Sequence, residues 1–364
     1  MNNTYRLYEI DFVRFFLIIA VVIVHIANFG SVHPEAKSVI LSFLMPTFLL
    51  LTGYLVNVEK SPREFVKYLI RLFLPYAIMV IGYSVMSFYL PVQDRLTEMS
   101  FDAIMDKVFI TSIGPYWFLQ TMIVCGIVYY ACFHFLRSHF ELTSILYVLC
   151  IALIFIADNS PVLSIKAASY YFLGVALRQT HVTFNGFFKK SPFAFLPIII
   201  LLLHKDMRDW GSIAILAVAY CLISFLSWLG GLVCEWSLCK YILFVGANTL
   251  PIYLFHPIFT MLAKFYLPLF AFDSTGIIHA ITTVVIALLG SLLIALIMEK
   301  SRLSYLFYRP TFFVKPNEQN DACINSAMAR KGGCEETNDN QKEIENEKAK
   351  CHPKPNHHCC RVYN

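Results

Sequence analysis

The chain has 364 residues, of which 58% are hydrophobic and 15% charged, with a net charge of +5 and a mean hydropathy of +0.62. Soluble globular domains are about 45–50% apolar and about 25% charged, so this composition excludes an ordinary soluble enzyme. The small positive charge does not point to nucleic acid; in a membrane protein the placement of Lys and Arg matters more than their sum.

Apolar runs of roughly 18 residues or more recur along the chain, each able to cross a bilayer as a helix. Ten segments can be placed: residues 10–30, 38–57, 71–91, 114–135, 142–158, 162–178, 192–204, 211–234, 241–262 and 277–298. The first is too long, too charged and too poor in small residues after it for a cleaved signal peptide. The fifth and sixth are joined tightly through Asp158-Asn159-Ser160-Pro161, and the seventh is short.

The connecting loops alternate in charge. Lys60, Arg63, Lys67 and Arg71 follow the second segment, Arg137 the fourth, Arg178, Lys189 and Lys190 the sixth, Lys240 the eighth, and Lys300, Arg302, Arg309 and Lys315 the tenth. The other loops have fewer basic residues (Lys37, Arg95, Lys107, Lys205, Arg208, Lys264) among acids such as Glu35, Asp94, Asp206, Asp209 and Asp273. The positive-inside rule then predicts both termini in the cytoplasm, which agrees with an even number of crossings. The fold expected is an all-α, polytopic integral membrane protein with about ten transmembrane helices.

The composition changes after residue 316. Residues 1–316 read as the membrane unit. The tail 317–364 is rich in Asn, Glu and Lys and lacks the apolar surface to fold alone. Six of the 11 cysteines (Cys125, Cys132, Cys150, Cys221, Cys234, Cys239) lie in or beside apolar segments and read as small hydrophobes. The other five, Cys323, Cys334, Cys351, Cys359 and Cys360, lie in the tail with His352, His357 and His358, in no standard metal or disulfide spacing.

The first segment carries Asp11, Arg14 and His25. Arg14 and His25 are 11 residues apart, close to three turns, so they share a face with a rise of roughly 16 Å between them. Asp11 is one turn before Arg14 and can pair with it. Two readings are bland: Arg14 snorkels to the inner interface, and His25 is a buried histidine bonded to another helix. Against them, ionisable groups inside a membrane cost about 2.5–3.5 kcal/mol each on insertion scales and mark functional cavities. Histidine is also the natural general base near neutral pH.

Asp11-Phe12-Val13-Arg14, ten residues, then His25, resembles the R-x10-H signature of the acyltransferase family three membrane proteins, which O-acylate bacterial surface glycans. Five further pieces follow in order. Met45-Pro46-Thr47-Phe48 with Thr52-Gly53-Tyr54 resembles the second-helix motif, and Arg71-Leu72-Phe73-Leu74-Pro75 the R-L-x-x-P element. Gly114-Pro115-Tyr116-Trp117-Phe118-Leu119 resembles the W-F-L element, and Tyr171-Phe172-Leu173-Gly174 the F-x-x-G element. Asn248 through His256, NTLPIYLFH, resembles the late N-S-L-x-I-Y-L-x-H. The resemblance covers about residues 8–310.

The resemblance implies transfer of an acyl group, often acetyl, from cytoplasmic acyl-CoA to a glycan hydroxyl outside the membrane or on a lipid carrier, in a multi-pass protein of the bacterial inner membrane. It calls for acyl-CoA as co-substrate and for no metal or permanently bound cofactor. His25 is the expected base. His256, also placed in the outer half, is a second catalytic candidate or a structural histidine. Arg14 is expected to meet a CoA phosphate or the pantetheine. Arg63, Lys67 and Arg71, spaced by four, would line one helix face and suit CoA phosphates, or equally lipid headgroups. Trp117 and Tyr253 are candidates for the acceptor side, with anchoring and packing as their plainer roles. Partners are then acyl-CoA, a glycan and membrane lipid, and an oligomer is compatible. Acetyl or succinyl donors, and lipopolysaccharide, capsule or peptidoglycan acceptors, all fit. The competing reading is a transporter or flippase with Arg14 and His25 along a polar path; the absence of paired, interrupted halves in the sequence weighs against it.

Overall fold

The computed structural model describes residues 7–89, 96–234 and 236–314. Asp94, Arg95, Lys315 and the tail 317–364 with its cysteines and histidines lie outside them. Among the described residues the secondary structure is entirely helical. The helices are α1 (Tyr8–Val24), α2 (Ala27–Val32), α3 (Pro34–Leu55), α4 (Pro62–Tyr89), α5 (Phe101–Phe109), α6 (Trp117–Leu136), α7 (Leu142–Asn159), α8 (Ile165–Gln179), α9 (Phe184–Phe187), α10 (Phe195–Leu203), α11 (Ile213–Val233), α12 (Cys239–Ala247), α13 (Thr249–Tyr266) and α14 (Ile277–Lys300).

Each of the ten apolar segments carries a helix, but seven helical stretches among the described residues are long and apolar enough to cross a bilayer. The helices α1, α8 and α10, with 17, 15 and 9 residues, fall short of that length.

Three expected boundaries need correction. The first segment is not one helix: α1 stops at His25, and Ile26, in an extended conformation, starts the short α2. The ninth is not one helix over 241–262, because Asn248 divides it into α12 and α13. The third starts at Pro62 rather than at 71. Its start is a capping box: the Ser61 hydroxyl accepts from the Glu64 N–H at 3.4 Å, and the Glu64 carboxylate accepts from the Ser61 N–H at 3.1 Å. Hydropathy does not see this signal because the first turns of α4 are polar.

The helix with the charges is the central one. Phe12, Val13, Leu17, Ile18, Val21 and Val22 of α1 are fully or almost fully buried, and α3, α11, α12 and α13 pack around it. Two contacts are backbone-close. A Cβ on Gly246 of α12 would lie 1.8 Å from the Asp11 carbonyl oxygen. Gly53 of α3 and Gly174 of α8 face each other, where a Cβ on either would lie 2.1 Å from a carbonyl of the other helix. Small residues allow this approach, as is common between membrane helices. It also explains why glycine stands at the two motif positions.

The bundle has two chemically distinct ends. At the basic end, Lys190 pairs with the buried Glu9 at 2.8 Å, Arg137 with Glu59 at 3.7 Å, and Arg309 Nε donates to the Arg71 carbonyl at 2.9 Å. At the opposite end Glu35 pairs with Lys205 and Arg208 at 2.7 and 3.1 Å, Lys166 pairs with Asp209, and His33 meets the Thr275 carbonyl at 2.7 Å.

Candidate active site

Two cavities flank α1, one toward each end. The first, about 320 Å³, has Arg14, Lys60, Tyr68, Thr249, Tyr253 and Arg309 as its polar lining, among apolar side chains such as Phe48, Leu51 and Phe118. The second, about 220 Å³, is lined by His25 together with Lys37, Tyr83, Gly114, Thr260 and Lys264. Arg14 and His25 thus share a helix but face different cavities.

Arg14 is positioned by the close packing of α12 on α1. The break at Asn248 ends α12 beside Asp11 and starts α13 with Thr249, whose hydroxyl accepts from the Arg14 guanidinium at 2.5 Å.

The two histidines lie together. Their ring centroids are 5.2 Å apart, edge to face. Each is oriented by a carbonyl that the helix ladder does not use. The last turn of α1 tightens so that the His25 N–H bonds Val22 O, three residues back; the Val21 carbonyl then lies 2.7 Å from His25 Nδ1. In α13, Pro257 has no N–H to give to Tyr253 O, and that carbonyl lies 2.9 Å from His256 Nδ1, with Ile252 O at 3.1 Å. A carbonyl only accepts, so in both neutral rings Nδ1 carries the hydrogen and Nε2 the lone pair. That is the tautomer a base needs. His25 opens to the second cavity. His256 is completely buried behind it, and its Nε2 has no hydrogen-bond partner among the described residues.

A thin wall separates the cavities. The Tyr253 side chain lines the first cavity, and its hydroxyl donates to the carbonyl of Pro115, which lines the second. The fully buried Tyr116 beside it donates to Leu254 O at 2.9 Å.

The other expected site residues fall less centrally. Arg63, Lys67 and Arg71 lie on the first turns of α4, as a stripe requires, but all three are exposed and none lines either cavity. Trp117 packs on Trp210, with ring centroids 6.1 Å apart, and lines neither cavity; Tyr253 lies on the Arg14 side of the wall. Sequence reasoning missed Lys60, Thr249 and Arg309 in the first cavity and Lys37 and Lys264 in the second. Thr249 stands inside the NTLPIYLFH stretch. The four cations read only as topology signals.

A multi-pass helical bundle with a central ionisable helix and a histidine aimed into a cavity defines a membrane-embedded protein with a candidate catalytic base. Over residues 7–299 the chain matches a family described as an acyltransferase domain, and it belongs to that family, the acyltransferase family three proteins; it is a membrane acyltransferase. No curated protein and no solved structure matches the chain.

Proposed function

We propose that this protein moves an acyl group, often acetyl, from cytoplasmic acyl-CoA to a hydroxyl of an extracytoplasmic or lipid-linked glycan, as a ten-pass protein of the bacterial inner membrane with both termini in the cytoplasm. The observation that carries the reaction is the accessible, oriented His25 in the second cavity. Three features support the topology. The basic ends of α6 and α14 are tied to the ends of α3 and α4 beside them, the acid-containing loops meet at the other end, and the basic end belongs inside.

In this reading His25 Nε2 accepts the proton of the acceptor hydroxyl as its oxygen attacks the thioester carbon. The C–O bond forms, the C–S bond breaks, and the thiolate of CoA leaves. The imidazolium returns its proton to that thiolate, so the products are the ester and CoA. His256 lies behind His25, where its open Nε2 can take up a hydrogen bond as the pair shifts during proton transfer. Arg14, held by Thr249, meets the donor in the first cavity, and Arg63, Lys67 and Arg71 supply positive charge outside its mouth. The acyl end of the donor has to pass the Tyr253–Pro115 wall to reach His25.

His25→Ala should lower transfer of labelled acetyl from acetyl-CoA to the envelope glycan of membrane vesicles by roughly 10²–10⁴-fold, the range for loss of a general base, while the amount of inserted protein stays the same. Transfer at the wild-type rate by that variant would remove His25 as the base.

A further inference from the structure

Residues 301–314, which follow α14, stay against the bundle. Arg302, at φ 60°, turns the chain back, Leu303–Phe307 form a short 3-10 helix, and Tyr308, at φ 52°, turns it again. Left-handed backbone at two non-glycine residues is unfavourable and persists only where surroundings impose it. Here the surroundings are specific. The Glu299 carboxylate accepts the Phe313 N–H at 2.7 Å and also the Phe312 N–H. Asn248 Oδ1 accepts the Val314 N–H at 2.8 Å. Phe312 is buried against Phe255 and Phe307, with centroids 5.9 and 5.7 Å away.

This strap delivers one side chain to the first cavity: Arg309. Its Nε is fixed on the Arg71 carbonyl at 2.9 Å, and its side chain lines the cavity with Lys60 and Arg14. The lining contains no carboxylate. Among the described residues, neither Arg309, Arg71 nor Lys60 takes part in an ion pair. Burial, and then the neighbouring Arg71 guanidinium, lower the Arg309 pKa, and burial lowers that of Lys60. Packing two guanidiniums together with a half-buried ammonium is unfavourable unless an anion joins them. The cavity, at about 320 Å³, is near the lower limit of ligand pockets, which run from about 300 to 1,000 Å³. It suits a narrow acyl-pantetheine arm and leaves a charged nucleotide end outside, beside Arg309 and the exposed Arg71.

We propose that the Leu303–Val314 strap is a phosphate clamp: it presents Arg309, with Lys60 on the same lining, to the phosphates of the donor's nucleotide end, and Glu299 is the positioning residue that holds the strap there. The proposal rests on the reading of acyl-CoA as donor, and the test separates the two.

Binding of coenzyme A and of pantetheine, which lacks the phosphates, is measured by calorimetry on the full chain in detergent. Arg309→Gln should weaken coenzyme A binding roughly tenfold or more, the scale of a lost charge-assisted hydrogen bond, and leave pantetheine binding as in the wild type. Lys60→Gln should do the same to a smaller extent. Glu299→Gln, which keeps the shape and weakens the acceptor for the two N–H groups, should shift the same ratio while the protein remains folded by thermal unfolding. Wild-type coenzyme A affinity in both Arg309→Gln and Lys60→Gln overturns the clamp and leaves the donor reading standing. Failure of the wild type to bind coenzyme A at all overturns the donor reading and the clamp with it.

Discussion

The basic end and the opposite end of the bundle are held by different physics. Around the first cavity the contacts are buried and close: Gly53 against Gly174, Gly246 against Asp11, and Lys190 on a Glu9 that is 2% exposed. Between the loops of the opposite end the ties are ion pairs of mostly exposed groups, Glu35 with Lys205 and Arg208 and Lys166 with Asp209, with the His33–Thr275 contact beside them. Close backbone packing resists deformation because a displaced methyl has nowhere to go, whereas exposed pairs contribute little and are screened by salt. Under the proposed function, the difference would suit a donor chamber of fixed shape and an acceptor side able to give way to a bulky glycan.

The largest effect should come from breaking the packed end. Gly53→Ala puts a Cβ 2.1 Å from the Tyr171 carbonyl, while the same change at Gly82, in α4, meets nothing within 4 Å. Overpacking costs typically 1–3 kcal/mol, and here the obstacle is backbone, so Gly53→Ala should lower the thermal midpoint in detergent by several degrees or prevent folding. Gly82→Ala should leave it unchanged or raise it, since alanine is the better helix former by about 1 kcal/mol. Equal behaviour of the two variants would remove the distinction between the ends.

Much of this was legible in the sequence, and the parts that were not share a cause. Each of the ten apolar segments carries a helix, two of them divided, because hydropathy and length report burial in lipid or protein directly. The Arg14–His25 spacing pointed to one helix with two polar positions, and the structure places Arg14 within α1 and His25 at its cap, each lining a cavity of its own. The breaks at Ile26 and Asn248 were not legible, because a helix interrupted inside apolar surroundings stays apolar and no proline or glycine stands at either residue. Lys60 and Arg309 were seen as charges but not as neighbours on one cavity. They are 249 positions apart in the chain, and only the turns at Arg302 and Tyr308 bring the second one back. Trp117 was singled out by a motif whose other members do form the wall: Pro115 accepts from Tyr253, and Tyr116 is fully buried.

A smaller effect tests whether the packed end serves the donor. Thr249→Val keeps the volume and removes the hydroxyl that accepts from Arg14 at 2.5 Å. Losing a hydrogen bond to a charged group costs about 1.5–3 kcal/mol where the group stays buried. Arg14 is only half-buried and retains other contacts, so the lower end of that range applies. The KM for acetyl-CoA should rise roughly tenfold with kcat little changed. A fall in kcat at constant KM would instead tie Arg14 to the chemical step.

The smallest effect belongs to the opposite end and has a pH signature. The hydrogen bond from Lys166, followed by the Gly211 N–H, holds the Asp209 carboxyl below its usual range. A carboxyl whose folded pKa is depressed contributes stability that is fully present above the unfolded value and is lost as pH falls through the folded one. The contribution should therefore persist at neutral pH and fade below about pH 4, the ordinary aspartate value. Asp209 is exposed, so the thermal midpoint of Asp209→Asn should lie only slightly below wild type at pH 7. The two should converge on acidification and also at high salt, where the pair is screened. A gap that stays constant from pH 7 to pH 3 would show that Asp209 acts through its turn rather than through its charge, and the opposite end would then be tied by packing after all.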